Sequence, residues 1–235
     1  MSHGQHLRAD DNTDLEGLYP FLYSDGGDID AVLAEVREST AAKAREIRDL
    51  RVQVLEQQRE RLVACATEMA ERFTAGGRLL AFGNGGSSTD SQDLASLFLN
   101  PGSLADATPA TPLPAYGLTN DVAVITALSN DVGFDVVFSR QIAAFGHAHD
   151  IALGLSTSGN SANLLLAFDE AQRRGMLTVG IAGYDGGKMA ESDSIDHLFV
   201  VPSPSVHRIQ EAQTTLYHVL WELTVLALRE ATGDD

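Results

Sequence analysis

Cysteine is nearly absent from this 235-residue chain: Cys65 stands alone, which excludes an internal disulfide and fits a reducing compartment. No apolar run approaches the ~20 residues that cross a bilayer, so no membrane partner is expected. The opening stretch MSHGQHLRADDNTDLEG lacks the apolar core of a signal peptide, and a cytoplasmic location is the expectation. Positive charge is scarce as well. Only 16 Lys and Arg face 33 Asp and Glu, a formal charge of −17, which argues against nucleic acid as a partner. Any phosphate held by such a chain must be bound by local backbone dipoles and hydroxyls, not by a broad basic field.

What is present is enough for one large core. At 44% hydrophobic and 21% charged, the composition is that of a globular chain. Residues 1–27 are polar, with His3, His6 and an acidic run, and read as a flexible segment. Within it, LYPFLY (18–23) is an aromatic patch suited to docking on a helix or a neighbouring subunit. From Asp28 to about Ala75 apolar residues recur at helical spacing: Ile29, Val32, Leu33 and Val36, then Leu50, Val54, Leu55, Leu62, Ala66 and Met69. Gly76 and Gly77 end that pattern as a C-cap would. A segment this long is either two helices or one that reaches beyond its own domain. Cys65, inside RLVACATEMAERF, reads as a buried small hydrophobe.

Beyond Gly77 short apolar runs alternate with helical stretches. Strands are expected at 78–83, 113–119, 150–156, 177–183 and 197–203, with helices near 88–99, 131–146, 161–174 and 206–230. Fully apolar runs of this length between helices imply a parallel sheet covered on both faces. The fold class is therefore α/β, a three-layer α/β/α sandwich of doubly wound type on a five-stranded parallel sheet, with an N-terminal helical extension. Residues 28–235 read as a single domain, and the Pro-rich stretch 101–114 as a surface excursion.

In such a sheet ligands bind beyond the strand C-termini. Three loops there carry glycine: GNGGSS (83–88), STSGNS (156–161) and AGYDGG (182–187). In the first two, free amides and small hydroxyls at a strand-to-helix turn suit a phosphate or sugar oxygens. A Walker A loop is excluded, because no Lys follows a glycine pair in the required register. The dinucleotide fingerprint fails too, since Ser88 occupies the third glycine position. Glycines can also do no more than make tight turns, but four hydroxyl residues in STSGNS are not needed for a turn.

Taken together, GNGGS, NDVGFDVVFSRQI, HDIALGLSTSGNSAN, GGKMA and HRIQEAQTTLYH resemble the sugar isomerase (SIS) domain, and within it the phosphoheptose isomerase branch. The resemblance covers about residues 30–230 in one order. It implies a phosphosugar ligand, sedoheptulose 7-phosphate in that branch, and a site in two halves. Asn84, Gly85, Gly86 and Ser87 match its first ligand loop, and Asn130 and Asp131 its sugar contacts. Ser156, Thr157, Ser158 and Ser161 match its phosphate cradle. Gln210 and His218 match the last-helix residues that face the sugar and in many members bind zinc. His207, Gln210, Glu211, Thr214 and His218 form one polar stripe at helical spacing. The family also implies a homotetramer, and some members associate with a replication initiator protein.

Aldose–ketose isomerisation by the enediol route needs a base beside the carbonyl. The resembling isomerases carry a metal-binding His and, four residues later, a Glu base on one helix face. Counting from GNGGS, these positions hold Asp93 and Leu97. Asp93, Gln210 and His218 would be a weak metal set, and no cofactor is expected with certainty. Asp90 and Asp93 read as helix-start acids. His207 stands where the isomerases carry Asp. Two expectations follow: a phosphosugar-binding protein without the usual catalytic pair, suited to a protein partner, or an isomerase using Asp93 and His218.

Overall fold

The chain's computed structural model describes residues 29–102 and 110–232. The expected flexible segment 1–27, with LYPFLY, and residues 103–109 of the Pro-rich stretch lie outside them. The described residues up to Glu46 and those from Ile47 onward belong to two separate units. One unbroken helix, α1 (Ile29–Thr74), settles the choice between one helix and two. Residues 31–46 of it are exposed.

In the second unit α1 buries Leu50, Val54, Leu62, Cys65, Met69 and Phe73, a stripe at three- and four-residue spacing. It ends where Gly76, at φ 82°, lets the Gly76 and Gly77 N–H groups bond back to Phe73 and Arg72 carbonyls, each at 2.9 Å. The strands are β1 (Leu79–Gly83), β2 (Ala115–Gly117), β3 (Ile151–Ser156), β4 (Leu177–Gly183) and β5 (His197–Val201), all parallel, in the order β2-β1-β3-β4-β5. The helices between and after them are α2 (Gly86–Leu99), α3 (Val122–Asp131), α4 (Val137–Phe145), α5 (Ala162–Arg173) and α6 (Val206–Thr232).

Strand parity divides the core. Leu79 and Ala81 of β1 face α1, α2 and α6, while Leu80 and Phe82 face α4 and α5. The doubly wound sandwich expected from the apolar runs is the observed architecture. The open edge of β5 is closed by a side chain: Gln58 of α1 accepts from Val200 N–H at 3.0 Å and donates to its carbonyl at 2.8 Å. That amide mimics a neighbouring strand.

The stretch expected as one helix near 131–146 is differently built. Helix α3 precedes it, capped by Asp121, whose Oδ1 accepts from Val124 N–H at 3.1 Å. Gly133, at φ 138°, then separates α3 from a 3₁₀ turn (Phe134–Val136) and α4. Among the described residues no helix is long and apolar enough to cross a membrane.

Candidate ligand site at the strand ends

The strand order changes direction between β1 and β3, which makes their C-terminal ends the switch point where this fold class binds ligands. Both glycine and hydroxyl loops leave from there. After β1, Asn84 leads to Gly85, which adopts φ 56° and ψ −122°, a conformation open to glycine alone at low cost. Helix α2 then starts at Gly86, and the next N–H groups bond early: Ser87 N–H to Asn84 carbonyl, Ser88 N–H to Gly85 carbonyl, both 3.0 Å. A β-carbon at Gly86 would overlap the Gln210 amide where it now lies. That contact brings Gln210 of α6 to the start of α2. Sequence spacing places the two residues on different elements; the fold joins them.

The hydroxyl loop is braced from within and from its neighbour. Ser156 Oγ accepts from Gly159 N–H at 3.0 Å and lies 3.5 Å from Ser161 Oγ. Ser158 Oγ accepts from Asn160 N–H at 3.2 Å. The turn that follows the AGYDGG loop docks on it: Lys188 N–H donates to Asn160 Oδ1 at 3.1 Å and Met189 N–H to Gly159 carbonyl at 3.0 Å. Ser156 is buried, whereas Thr157, Ser158 and Ser161 are half-buried. The loop therefore presents hydroxyls in a fixed arrangement.

Three residues not assigned from the sequence join this region. Asn163, in the first turn of α5, forms a reciprocal amide pair with Asn84: each Nδ2 donates to the other's Oδ1 at 2.9 Å. Gln213, fully buried on α6, donates to the Ser156 carbonyl at 3.1 Å and the Ile181 carbonyl at 3.3 Å, while its Oε1 has no partner. Tyr217, also buried, stacks its ring against His218 at 5.1 Å between centroids. Asn163 did lie within the quoted STSGNSAN, but nothing in its spacing marks a partner 79 residues away.

Helix α2 carries a perturbed carboxyl, Asp90. Burial first, and then the Asp93 carboxylate, push the Asp90 carboxyl up to about 6, and Asp90 Oδ2 is buried without a hydrogen-bond partner. Burial also raises the Tyr217 phenol; its hydrogen bond with Thr214 pulls the other way, and the Asp90 and Asp93 charges push it further up. Asp93 itself is exposed. Leu97, one turn on, is half-buried and packs against the core cluster that includes Leu94 and Phe98. Gln210 is half-buried, and His218 and His207 are exposed. Glu211 of the polar stripe pairs with Arg208 at 3.0 Å. Asn130 and Asp131, at the end of α3, are exposed, and Asn130 Nδ2 donates to Asp131 Oδ1 at 2.8 Å.

Among the described residues no three His, Cys, Asp or Glu side chains gather as metal ligands. Asp93 with a neutral amide and one imidazole does not fit the ligand set that zinc favours.

Comparison with known proteins agrees with the fold. Residues 44–183 match the family model described as SIS domain. The phosphoheptose isomerase of Desulfovibrio desulfuricans is 45% identical over 184 residues, 78% of this chain and 84% of that protein. That of Roseiflexus sp. is 40% identical over 182 residues, 77% of this chain and 89% of its own length. The solved structure of phosphoheptose isomerase from Neisseria gonorrhoeae superposes with a TM-score of 0.71 at 36% identity, covering 80% of this chain and 97% of that one.

Proposed function

The chain belongs to the SIS domain family, and from that premise we propose that it binds a phosphorylated sugar at the ends of β1 and β3 without the usual acid–base pair of a phosphoheptose isomerase. Ser156, Thr157, Ser158 and Ser161 hold the phosphate through hydroxyls and the N–H groups at the start of α5. Asn84, Gly85, Gly86, Ser87 and Gln210 face the sugar, with Asn130 and Asp131 as further contacts. One observation carries the reading: a braced hydroxyl loop coexists with Leu97 packed against the core, where the family resemblance calls for a base. A leucine cannot take a proton, and its side chain is committed to packing. The test is calorimetry with sedoheptulose 7-phosphate against unphosphorylated sedoheptulose. Equal weak heats for both would dismiss phosphate recognition.

A second reading is favoured by Asp90. A carboxyl near 6 suits proton transfer at neutral pH, and the relatives named above carry the name isomerase. In that reading α2 carboxylates, Asp90 or Asp93, take the proton from the carbon beside the carbonyl and return it to the adjacent carbon. His218 protonates the carbonyl oxygen and accepts the proton of the neighbouring hydroxyl. Homo-oligomerisation, as a tetramer, is part of the proposal and is supported by exposed Tyr116, Val122, Val132 and Phe134. A cytoplasmic location and a protein partner for the binding form complete it.

A further inference from the structure

We propose that Asn163 is a positioning residue: it fixes the carboxamide of Asn84 in one orientation so that Asn84 reads a sugar hydroxyl. The inference rests on phosphosugar binding at this site and names the group that sets its selectivity for the sugar part.

The amide pair bridges the switch point. Asn84 follows β1, Asn163 stands in the first turn of the helix after β3, and these two strands are hydrogen-bonded neighbours. Asn163 is only 2% exposed, whereas Asn84 is half-buried at the loop surface. Each carboxamide has two N–H donors and an oxygen with two lone pairs. The pair consumes one donor and one lone pair on each side. Asn84 therefore keeps one N–H on one flank of its carboxamide and one lone pair on the other, so its orientation decides which flank donates to a sugar hydroxyl and which accepts from one. A free carboxamide would exchange these two positions by turning about its last side-chain bond. Here a turn of Asn84 alone would set oxygen against oxygen and N–H against N–H. Restoring the pair would require Asn163 to turn as well, inside packed surroundings. Phosphate oxygens, which at neutral pH chiefly accept, do not need this polarity.

Two probes separate the roles: sedoheptulose 7-phosphate, which carries hydroxyls, and inorganic phosphate, which engages the hydroxyl loop alone. Titration calorimetry on Asn163→Ala is expected to show about a tenfold loss for the sugar phosphate, the scale of one hydrogen bond. Inorganic phosphate affinity should stay within about twofold. In an Asn84→Ala background Asn163→Ala should cost nothing further, because its effect passes through Asn84. An equal loss on both probes, an unchanged sugar-phosphate affinity, or an additive loss in the Asn84→Ala background would each overturn the assignment. Asn163→Ser, which keeps a small polar group, carries the same test if Asn163→Ala loses its folded circular dichroism. Loss of folding in both variants would assign Asn163 to the fold and end the proposal. Failure of the underlying reading shows separately, as a wild-type protein that does not bind the sugar phosphate.

Discussion

The Tyr217 phenol of α6 lies within the field of the Asp90 carboxyl of α2, and burial raises both groups. An acid whose folded pKa is raised binds its proton more tightly in the native state than in the unfolded chain. Its contribution to stability is therefore fully present below its ordinary value of 3.8 and is lost as pH rises through about 6. Asp90→Asn removes that loss. The variant should melt higher than the wild type at pH 8, by roughly 2–4 °C, or about 1 kcal/mol once solvent screening is discounted. At pH 5 the difference should shrink. Equal differences at both pH values would refute the placement of Asp90.

Arg78 and Asp150 predict the opposite pH behaviour at the other end of the sheet. Asp150 is 2% exposed and accepts from Arg78 N–H at 2.8 Å, Arg78 Nη2 at 2.7 Å and His147 N–H at 3.0 Å. Burial pushes its carboxyl up, but Arg78 and the backbone N–H groups outweigh that and hold it below its ordinary value. Its stabilisation is thus present above 3.8 and lost as pH falls below that value. Asp150→Ala should cost roughly 2–4 kcal/mol at pH 7, read by urea denaturation. A loss under about 0.5 kcal/mol would contradict the role given to this pair.

Gly86 and Gln210 make a third prediction. Gly86→Ala should push the Gln210 amide aside with little change in melting temperature, since the end of that side chain can swing. Sugar-phosphate affinity should fall as far as in Gln210→Ala, and the double variant should fall no further. Additive losses in calorimetry would show that the two residues act apart.

Ser158→Ala tests the hydroxyl loop. The substitution removes the acceptor of Asn160 N–H and one candidate phosphate ligand. Affinity for both sedoheptulose 7-phosphate and inorganic phosphate should drop, by about five- to tenfold. Unchanged affinity for either probe would remove Ser158 from the phosphate contacts.

The sheet was legible because β1, β3 and β4 are buried along their whole length and read as unbroken apolar runs. The two loops at the switch point were legible for the same reason, as the places where those runs stop. Helix α3 was not: none of its residues is fully buried, Ile125 and Leu128 pack only part-way against the core, and the largely apolar VAVITALS offers little polar–apolar contrast to read. Asn163 and Gln213 also escaped the sequence. Their partners lie 79 and 57 residues away, and only the assembled fold brings them together. The departure at Leu97 was visible in the sequence, but its packing against the core was not.

The central claim is that this site holds a phosphosugar and does not turn it over. A coupled isomerase assay on sedoheptulose 7-phosphate, run with and without added zinc on protein shown by calorimetry to bind it, tests that most directly. The account expects saturable binding and no turnover above the enzyme-free rate in either condition. Turnover that His218→Ala, Asp90→Asn or Asp93→Asn abolishes would contradict it and establish the isomerase reading.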